Sequence, residues 1–166
     1  NRINIVSWER IREEFIKILK TKKPSRGLII LQKTGLMKMV FPEIDVMYGM
    51  DQTPEWHHKD IFAHTMQVVD NAAKLSSKME IRFAALVHDI AKPKTRRVDK
   101  NRGYTFHGHD AVGERMLNKV SRRMKLSNRL KGYIKKLTKL HLRPIALAKN
   151  IVTDSAIRRL MVESGE

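Results

Sequence analysis

The stretch that decides the fold is AALVHDIAKPKT, residues 84–95. It begins as an apolar run, carries His88 and Asp89 side by side, and then reaches Pro93. Because proline disfavours helical backbone in the residue before it, the sequence predicts a helix over about 80–91 that ends ahead of Pro93. Successive helical side chains point about 100° apart, so His88 and Asp89 can reach one point together only near a helix end.

Helical periodicity continues on both sides of this stretch, and no segment alternates as a strand would. The predicted fold class is therefore all-α. Residues 43–56 are expected to be a loop or linker, and residues 93–108 a loop or a loose hairpin. The helices predicted from apolar spacing, caps and breakers cover about 8–19 with Ser7 as N-cap, 26–33, 61–76 with Asp60 as N-cap, 109–124, 127–142 and 154–164 with Gly165 as C-cap. The core-facing stripe of the helix over 61–76 is predicted to hold Ile61, Val68, Val69, Ala72 and Leu75.

Four histidines fall on the apolar faces of four different predicted helices: His64, His88, His109 and His141. A single histidine in that position is more often a hydrogen-bonded core residue, but four in one small domain are costly to bury without a common partner. A divalent metal ion would supply that partner. The chain has no cysteine, so its ligands would have to be His, Asp or Glu.

The order of these residues suggests how such a site is built. His64 and Asp154 could complete a four-ligand set with His88 and Asp89, although Asp154 is more often just a helix cap. His109 and His141 could hold a second ion, with Asp89 bridging the two. Water on a metal ion is a nucleophile toward phosphate esters, and Lys92 could stabilise the developing phosphoryl charge. Mg, Mn, Ni, Fe and Zn all remain open.

The net charge of +17 predicts a polyanionic partner. Nucleic acid is the first candidate, an anionic membrane surface the second, and a merely lysine-rich surface the third. Residues 115–143 contain eleven Lys and Arg and no Asp or Glu, and a second basic patch lies within 92–102. Few aromatic residues accompany either patch, so phosphate contact is favoured over base stacking. The predicted RNA contacts are Arg122, Arg123, Lys135, Lys136 and Lys139.

The membrane alternative finds no support in the apolar runs. None approaches the roughly 18 residues of a membrane span, and the first residues do not read as a signal peptide. The sequence therefore predicts no membrane partner and a cytoplasmic location.

The order His64, His88-Asp89, His109, His141 and Asp154 resembles the HD phosphohydrolase superfamily. The strings that carry this resemblance are FAHTMQVV (62–69), AALVHDIAKPKT (84–95), FHGHDAVGERM (106–116) and VTDSAIRRL (152–160). A second resemblance covers residues 7–43, SWERIREEFIKILKTKKPSRGLIILQKTGLMKMVFPE, which are similar to the RNA-binding neck of bacterial tRNA nucleotidyltransferases and poly(A) polymerases. HHKDIFAHT at 57–65 then follows as in members with an appended HD domain.

These resemblances imply a metal site made of His64, His88, Asp89 and Asp154, with His109 and His141 as candidates for a second ion. Three further histidines, His57, His58 and His107, would be polar neighbours. The family adds the CCA end to tRNA with an N-terminal palm domain built on Gly-Ser and paired aspartates, a pattern that is not found in these residues.

The implied protein is a fragment with a helical neck over 1–52 and an HD domain over 53–166. Its implied partners are tRNA or other RNA, a phosphoester substrate and the nucleotidyltransferase domain of the parent chain. Two alternatives stay open. One is a non-catalytic RNA-binding module with a structural metal site. The other is a free-standing HD phosphohydrolase that acts on nucleotides.

Overall fold

The structure is a computed structural model that describes residues 5–51, 60–100, 103–149 and 153–165. Within these ranges the chain forms helices and one small hairpin, which confirms the all-α class. The helices are α1 Trp8–Lys20, α2 Pro24–Lys33, α3 Leu36–Val40, α4 Pro42–Asp45, α5 Ile61–Leu75, α6 Met79–Val87, α7 Lys92–Thr95, α8 His109–Arg123, α9 Asn128–Leu140, α10 Arg143–Lys149 and α11 Asp154–Ser164, and the strands are β1 Arg97–Asp99 and β2 Gly103–Thr105.

The helix starts follow the predicted capping residues. The Ser7 side chain accepts a hydrogen bond from the Arg10 backbone N–H at the start of α1. Asp60 accepts from the backbone N–H groups of Phe62 and Ala63 at the start of α5. Each cap satisfies donors that the first helical turn leaves without a partner. At the far end, Gly165 closes α11 in the left-handed conformation with φ of 95°.

A bundle of α5, α6, α8 and α9 forms the body of the molecule. α6 packs against α5 on one side and α9 on the other, and α8 lies along α9. Each of these helices buries one apolar face and exposes the opposite one, as an amphipathic surface helix does. The inner ends of these four helices converge at one place, which is the position of the histidines.

The first four helices share the hydrophobic core of this bundle. The rings of Phe15 in α1, Phe41 after α3 and Phe83 in α6 lie with centroids 5.7 to 6.4 Å apart, all fully or almost fully buried. The core is continuous from one segment to the other. The division between residues 52 and 53 remains a prediction, and it lies outside the described residues together with His57 and His58.

Two expectations about these segments are wrong, and one helix was not predicted. Residues 43–56 were expected to be a loop or linker, but in the described part of that range α4 and the following turn bury Ile44 and Met47 completely. A helix that the sequence did not indicate, α10, follows α9 after one turn. Leu75 is 88% exposed because it is the last residue of α5, past the point where the neighbouring helices cover it.

The region after α6 also differs from the expectation. α6 ends at Val87, before the predicted position. The chain then forms turns up to the start of α7. Of the two alternatives for residues 93–108, the hairpin is correct, with Val98 opposite Tyr104 in an antiparallel pair. No helix in the described part of the chain is long and apolar enough to cross a membrane.

Candidate metal centre

Four helix ends bring the four predicted histidines together. His64 lies in the first turn of α5, and His109 is the first residue of α8. His88 directly follows α6, and His141 directly follows α9. Side chains at helix ends escape the fixed angular spacing of the helix interior, so they can converge on one point. Because α6 ends at Val87, the side chain of Asp89 is also free of helical spacing and can point to the same place as His88. The sequence predicted such a helix end from the adjacency of His88 and Asp89.

Asp89 lies at the centre of this cluster and is only 2% exposed. Its Oδ2 atom is 3.0 Å from His88 Nε2 and 3.7 Å from His64 Nε2. Its Oδ1 atom is 3.2 Å from His109 Nε2 and 3.6 Å from His141 Nε2. One carboxylate therefore faces two histidine pairs with its two oxygens, which is the arrangement of a bridging ligand.

Backbone carbonyls orient three of the rings. His88 Nδ1 is 2.8 Å from the Ala85 carbonyl oxygen, and His109 Nδ1 is 2.7 Å from that of Phe106. His141 Nδ1 is 2.6 Å from the carbonyl of Thr138. Each Nδ1–H donates to the residue three positions earlier, which leaves the Nε2 lone pair directed at Asp89. Metal-binding histidines are commonly held in this way by their other ring nitrogen.

The cluster contains more acceptors than donors. With Nδ1 protonated, neutral imidazoles offer only lone pairs at Nε2, and an ionised carboxylate also only accepts. His109 Nε2 and His141 Nε2 are nevertheless just 3.2 Å apart, beside Asp89 Oδ1. Facing acceptors at this distance require a shared cation or proton, because buried polar atoms are costly to leave unmatched.

Protons meet part of this need in the metal-free chain. Burial by itself would raise the pKa of Asp89, but hydrogen bonds from His109, His141 and His88 outweigh it and hold that pKa far below its usual value. Burial would lower the pKa of His109, but its hydrogen bonds to Asp89 and to the Phe106 carbonyl raise it overall. The cluster is therefore built to stabilise positive charge around an ionised Asp89.

The residues present fit divalent metal. His64, His88 and Asp89 each offer a ligand atom within 4.8 Å of the others, and so do Asp89, His109 and His141. The donor set contains four imidazoles and one carboxylate, with the ring orientations already fixed. Imidazole nitrogen suits transition metals such as Zn, Fe and Ni better than it suits Mg.

The structure does not bring Asp154 into this cluster. Its side chain is exposed in the first turn of α11, and the described residues that group as ligands do not include it. Its role as a ligand stays a prediction that the geometry does not support. His107 is exposed beside the hairpin, in keeping with a polar neighbour rather than a ligand.

A cleft of about 800 Å³ opens onto one side of the centre. His64, His88, Asp89, Lys92 and His141 line its floor. Its walls are almost entirely aliphatic, and they come from α5, α6, α9, α10 and α11. Ligands on the floor of an apolar cleft are a common arrangement for a site that binds a small organic molecule.

Lys92 lines the cleft with its ammonium 2.7 Å from Asp89 Oδ2. The side chain is only 14% exposed, so its charge acts in surroundings with little solvent screening. It is held where a phosphoryl group at the floor of the cleft would contact it. The role of Lys92 toward a phosphoryl group stays a prediction.

Gly113 is a residue whose importance sequence reasoning missed. A Cβ atom there would lie 3.0 Å from Thr138 Cγ2 and 3.3 Å from Ile90 Cγ2. The glycine thus allows α8 to approach α9 and the turn after α6, one helical turn beyond His109. Its position four residues after His109 in the sequence was the available signal.

The predicted RNA-contact residues do not form a single surface. Lys135, Lys136 and Lys139 line one shallow groove that also contains Glu114 and Glu163. Within that groove, Lys135 Nζ lies 3.6 Å from Glu114 Oε1, so part of its charge is matched by the chain itself.

Arg122 and Arg123, at the end of α8, differ from each other. Arg122 is exposed. Arg123 makes two hydrogen bonds of 2.8 and 2.6 Å with the Glu43 carboxylate and is only 19% exposed, so it joins α8 to the first segment. An RNA phosphate would have to compete with Glu43 for it.

Comparison with known families identifies both segments of the chain. Residues 1–48 match the family described as the probable RNA- and SrmB-binding site of polymerase A. Residues 61–160, more than half of the chain, match the HD domain family. The two matches stand in the order expected for a neck followed by an HD domain. The chain belongs to the HD domain family and has the neck-plus-HD architecture of the poly(A) polymerase/tRNA nucleotidyltransferase family.

Proposed function

We propose that this chain is the neck and HD portion of a tRNA nucleotidyltransferase-type protein, and that its centre hydrolyses a phosphoester with divalent metal. The observation that carries the proposal is the position of Asp89 between two histidine pairs, with its two oxygens facing opposite pairs. Such a constellation needs a cation, and the adjoining cleft offers room for a substrate beside it. A protein that acts on tRNA ends fits a cytoplasmic location.

The residues would divide the work as follows. His64 and His88 with Asp89 Oδ2 would hold one ion, and His109 and His141 with Asp89 Oδ1 a second. A divalent ion bound there lowers the pKa of water and neutralises phosphoryl charge. Lys92 would bind the phosphoryl oxygens that gain charge as the water oxygen bonds to phosphorus and the ester P–O bond breaks.

Metal content and hydrolysis, measured together, test this proposal. Elemental analysis is made on wild type, His88→Ala and His109→Ala, with His107→Ala as the control because His107 is exposed and lies outside the cluster. The same proteins are assayed with a 2′,3′-cyclic phosphodiester and with terminal phosphomonoesters. We expect each cluster variant to lose metal and activity, while the control keeps both. Equal metal content in all four proteins would refute the site.

The second candidate is a non-catalytic RNA-binding module. It is favoured by the family match of residues 1–48 and by exposed cations on α8 and α9, among them Arg122 and Lys139. It predicts tRNA affinity that falls steeply with salt and weakens when Lys135, Lys136 and Lys139 are changed to Glu. Metal binding without hydrolysis of any phosphoester, combined with this RNA affinity, would favour this candidate over the first.

A further inference from the structure

In the described residues there is one sheet, the hairpin of β1 and β2. It lies in the chain between Asp89 and His109, which both belong to the metal centre. The chain leaves the centre at Asp89, forms α7, β1 and β2, and returns at His109. The hairpin strands, residues 97–99 and 103–105, therefore project from the edge of the candidate active site. The residues of β1 and β2 do not belong to the buried core of the bundle. β1 is exposed along its whole length.

Both ends of this projection are fixed to the centre. On the outgoing side, the Lys92 ammonium lies 2.7 Å from Asp89 Oδ2. On the returning side, the Phe106 carbonyl accepts a hydrogen bond of 2.7 Å from His109 Nδ1. The Lys92 ammonium also lies 5.5 Å from the centre of the Phe106 ring, which links the two sides. A molecule bound along the hairpin would thus be held in a defined position relative to Asp89.

The projection carries more positive than negative charge, since Asp99 on β1 is the one carboxylate in its described residues. Lys94, Arg97 and Lys100 are exposed, and no described carboxylate lies within ion-pair distance of any of them. The lysines of α9 differ in this respect, since Lys135 faces Glu114. Unmatched cations on an exposed projection favour a polyanion as partner.

Arg96 adds a planar element to this surface. Its guanidinium lies 3.7 Å above the centre of the Tyr104 ring, so the two planar groups are held together where α7 meets β1. A guanidinium fixed on an aromatic ring keeps its donors oriented, and such planes are a frequent contact for unpaired nucleotides.

We propose that this basic hairpin binds the backbone of single-stranded RNA, and that the substrate of the centre is the end of an RNA strand rather than a free nucleotide. The inference rests on the proposed phosphohydrolase function. α7 and β1 together extend over roughly 15 Å, so nucleotides upstream of the reacting end would contact Lys94, Arg97 and Lys100. A free nucleotide in the cleft would gain little from these contacts.

A comparison of two substrates with the same reacting group tests the kinetic consequence. Adenosine 2′,3′-cyclic phosphate and an oligoribonucleotide of about eight residues with the same cyclic end are assayed with the metal-loaded protein. We expect kcat/KM at low salt to be roughly tenfold or more higher for the oligomer. The Lys94→Glu/Arg97→Glu/Lys100→Glu variant should lose that advantage and keep the wild-type kcat/KM for the mononucleotide.

The matched control is Lys74→Glu/Lys78→Glu. Both lysines are exposed, and they lie at the ends of α5 and α6 that are about ten residues, or roughly 15 Å, away from His64 and His88. This control should retain the advantage of the oligomer. If the hairpin variant kept it as well, or lost activity equally on both substrates, the inference would be overturned.

A binding measurement separates the inference from the proposed hydrolysis. Anisotropy of a labelled single-stranded RNA is followed against salt for wild type, hairpin variant and control. Losing three phosphate contacts should flatten the slope of log affinity against log salt by roughly 2. If no phosphoester is hydrolysed but this change appears, the hydrolase proposal fails and the RNA guide stands. If the slope is unchanged, the guide is refuted whether or not hydrolysis occurs.

Discussion

The metal centre and the junction between the first four helices and the bundle both bury charged side chains, but they differ in donor–acceptor balance. At the junction, buried Arg82 donates to the carbonyl oxygens of Leu19, Thr21, Ala73 and Ser76 over 2.8 to 3.2 Å. At the centre, the acceptor atoms His109 Nε2 and His141 Nε2 face each other beside Asp89 Oδ1. A cluster that satisfies itself stabilises the fold, whereas one whose facing acceptors need a shared cation or proton is built to receive something from outside.

The Glu43–Arg123 pair also belongs to the junction, because it joins α4 to the end of α8. The guanidinium makes two hydrogen bonds to the carboxylate and lies within 6 Å of the Trp8 and Phe41 ring centres. Burial alone would raise the pKa of Glu43, but the hydrogen bonds and the charge of Arg123, together with a backbone hydrogen bond and the charge of Lys119, outweigh it and lower that pKa overall. The difference between the two regions predicts that substitutions will separate stability from metal binding.

The largest effect is expected from Asp89→Asn, which removes the one ligand common to both histidine pairs. Each ion should bind at least about 100-fold more weakly, because even residues behind the ligands contribute 10- to 100-fold. Metal titration followed by calorimetry measures this change. Retention of one tight ion would show that Asp89 does not bridge. Asp110→Asn, on the neighbouring helix turn, serves as the control.

Arg82→Ala should have the opposite profile. Loss of a buried cation that serves four carbonyls should reduce the free energy of unfolding by about 3 kcal/mol. Urea denaturation of the metal-free protein gives this value, while metal affinity of the folded protein should stay at the wild-type level. Arg26→Ala, an exposed substitution on α2, should be nearly neutral. A parallel fall in metal affinity would mean that junction and centre are coupled.

Glu43→Gln tests the junction through pH. A carboxyl group with a lowered pKa in the folded state stabilises above its unfolded pKa of about 4.5, and that contribution is lost as pH falls through the lower folded value. The variant should therefore lose roughly 1 to 2 kcal/mol at neutral pH and less as pH falls below about 4.5. Partial exposure of Glu43 keeps this figure below that of a fully buried pair. Thermal unfolding from pH 3 to 7, with Glu163→Gln as control, measures it.

The smallest effect on stability is expected from His141→Phe in the metal-free protein. The substitution removes an acceptor that faces His109 Nε2 at 3.2 Å, and it keeps the ring volume. Stability should fall by about 1 kcal/mol or less, because relief of the two facing Nε2 acceptors offsets the loss of the hydrogen bond from His141 Nδ1 to the Thr138 carbonyl. Metal binding at the second pair should nevertheless fall. A loss of stability like that of Arg82→Ala would remove the distinction between the two regions.

Much of the fold was predictable because the local signals agree. The caps at Ser7 and Asp60 and the apolar periodicity place most helices within a few residues. The expectations that failed have tertiary causes. The turn after α4 became compact because Ile44 and Met47 are buried by other helices. α10 has no strong periodicity, and its position depends on packing near the cleft.

The metal centre was predictable in its members but not in its geometry. Helical phase directed His64, His88, His109 and His141 inward, and the adjacent His88 and Asp89 required a helix end. Asp154 was predicted as a ligand from the order of the residues and again from the resemblance, and the structure leaves it exposed. The carbonyl groups that orient the rings carry no residue-type signal, so no sequence pattern could have revealed them.

The sequence by itself determined the helical class, the charge and the identity of the histidine–aspartate cluster, since these follow from residue type and spacing along one chain. Only the tertiary structure decided that Asp89 lies between two pairs, that Arg123 serves the junction rather than an open surface, and that a basic hairpin stands beside the centre. These outcomes depend on distances between residues far apart in the chain. Such distances are set by packing of whole helices, for which Gly113 provides the close approach.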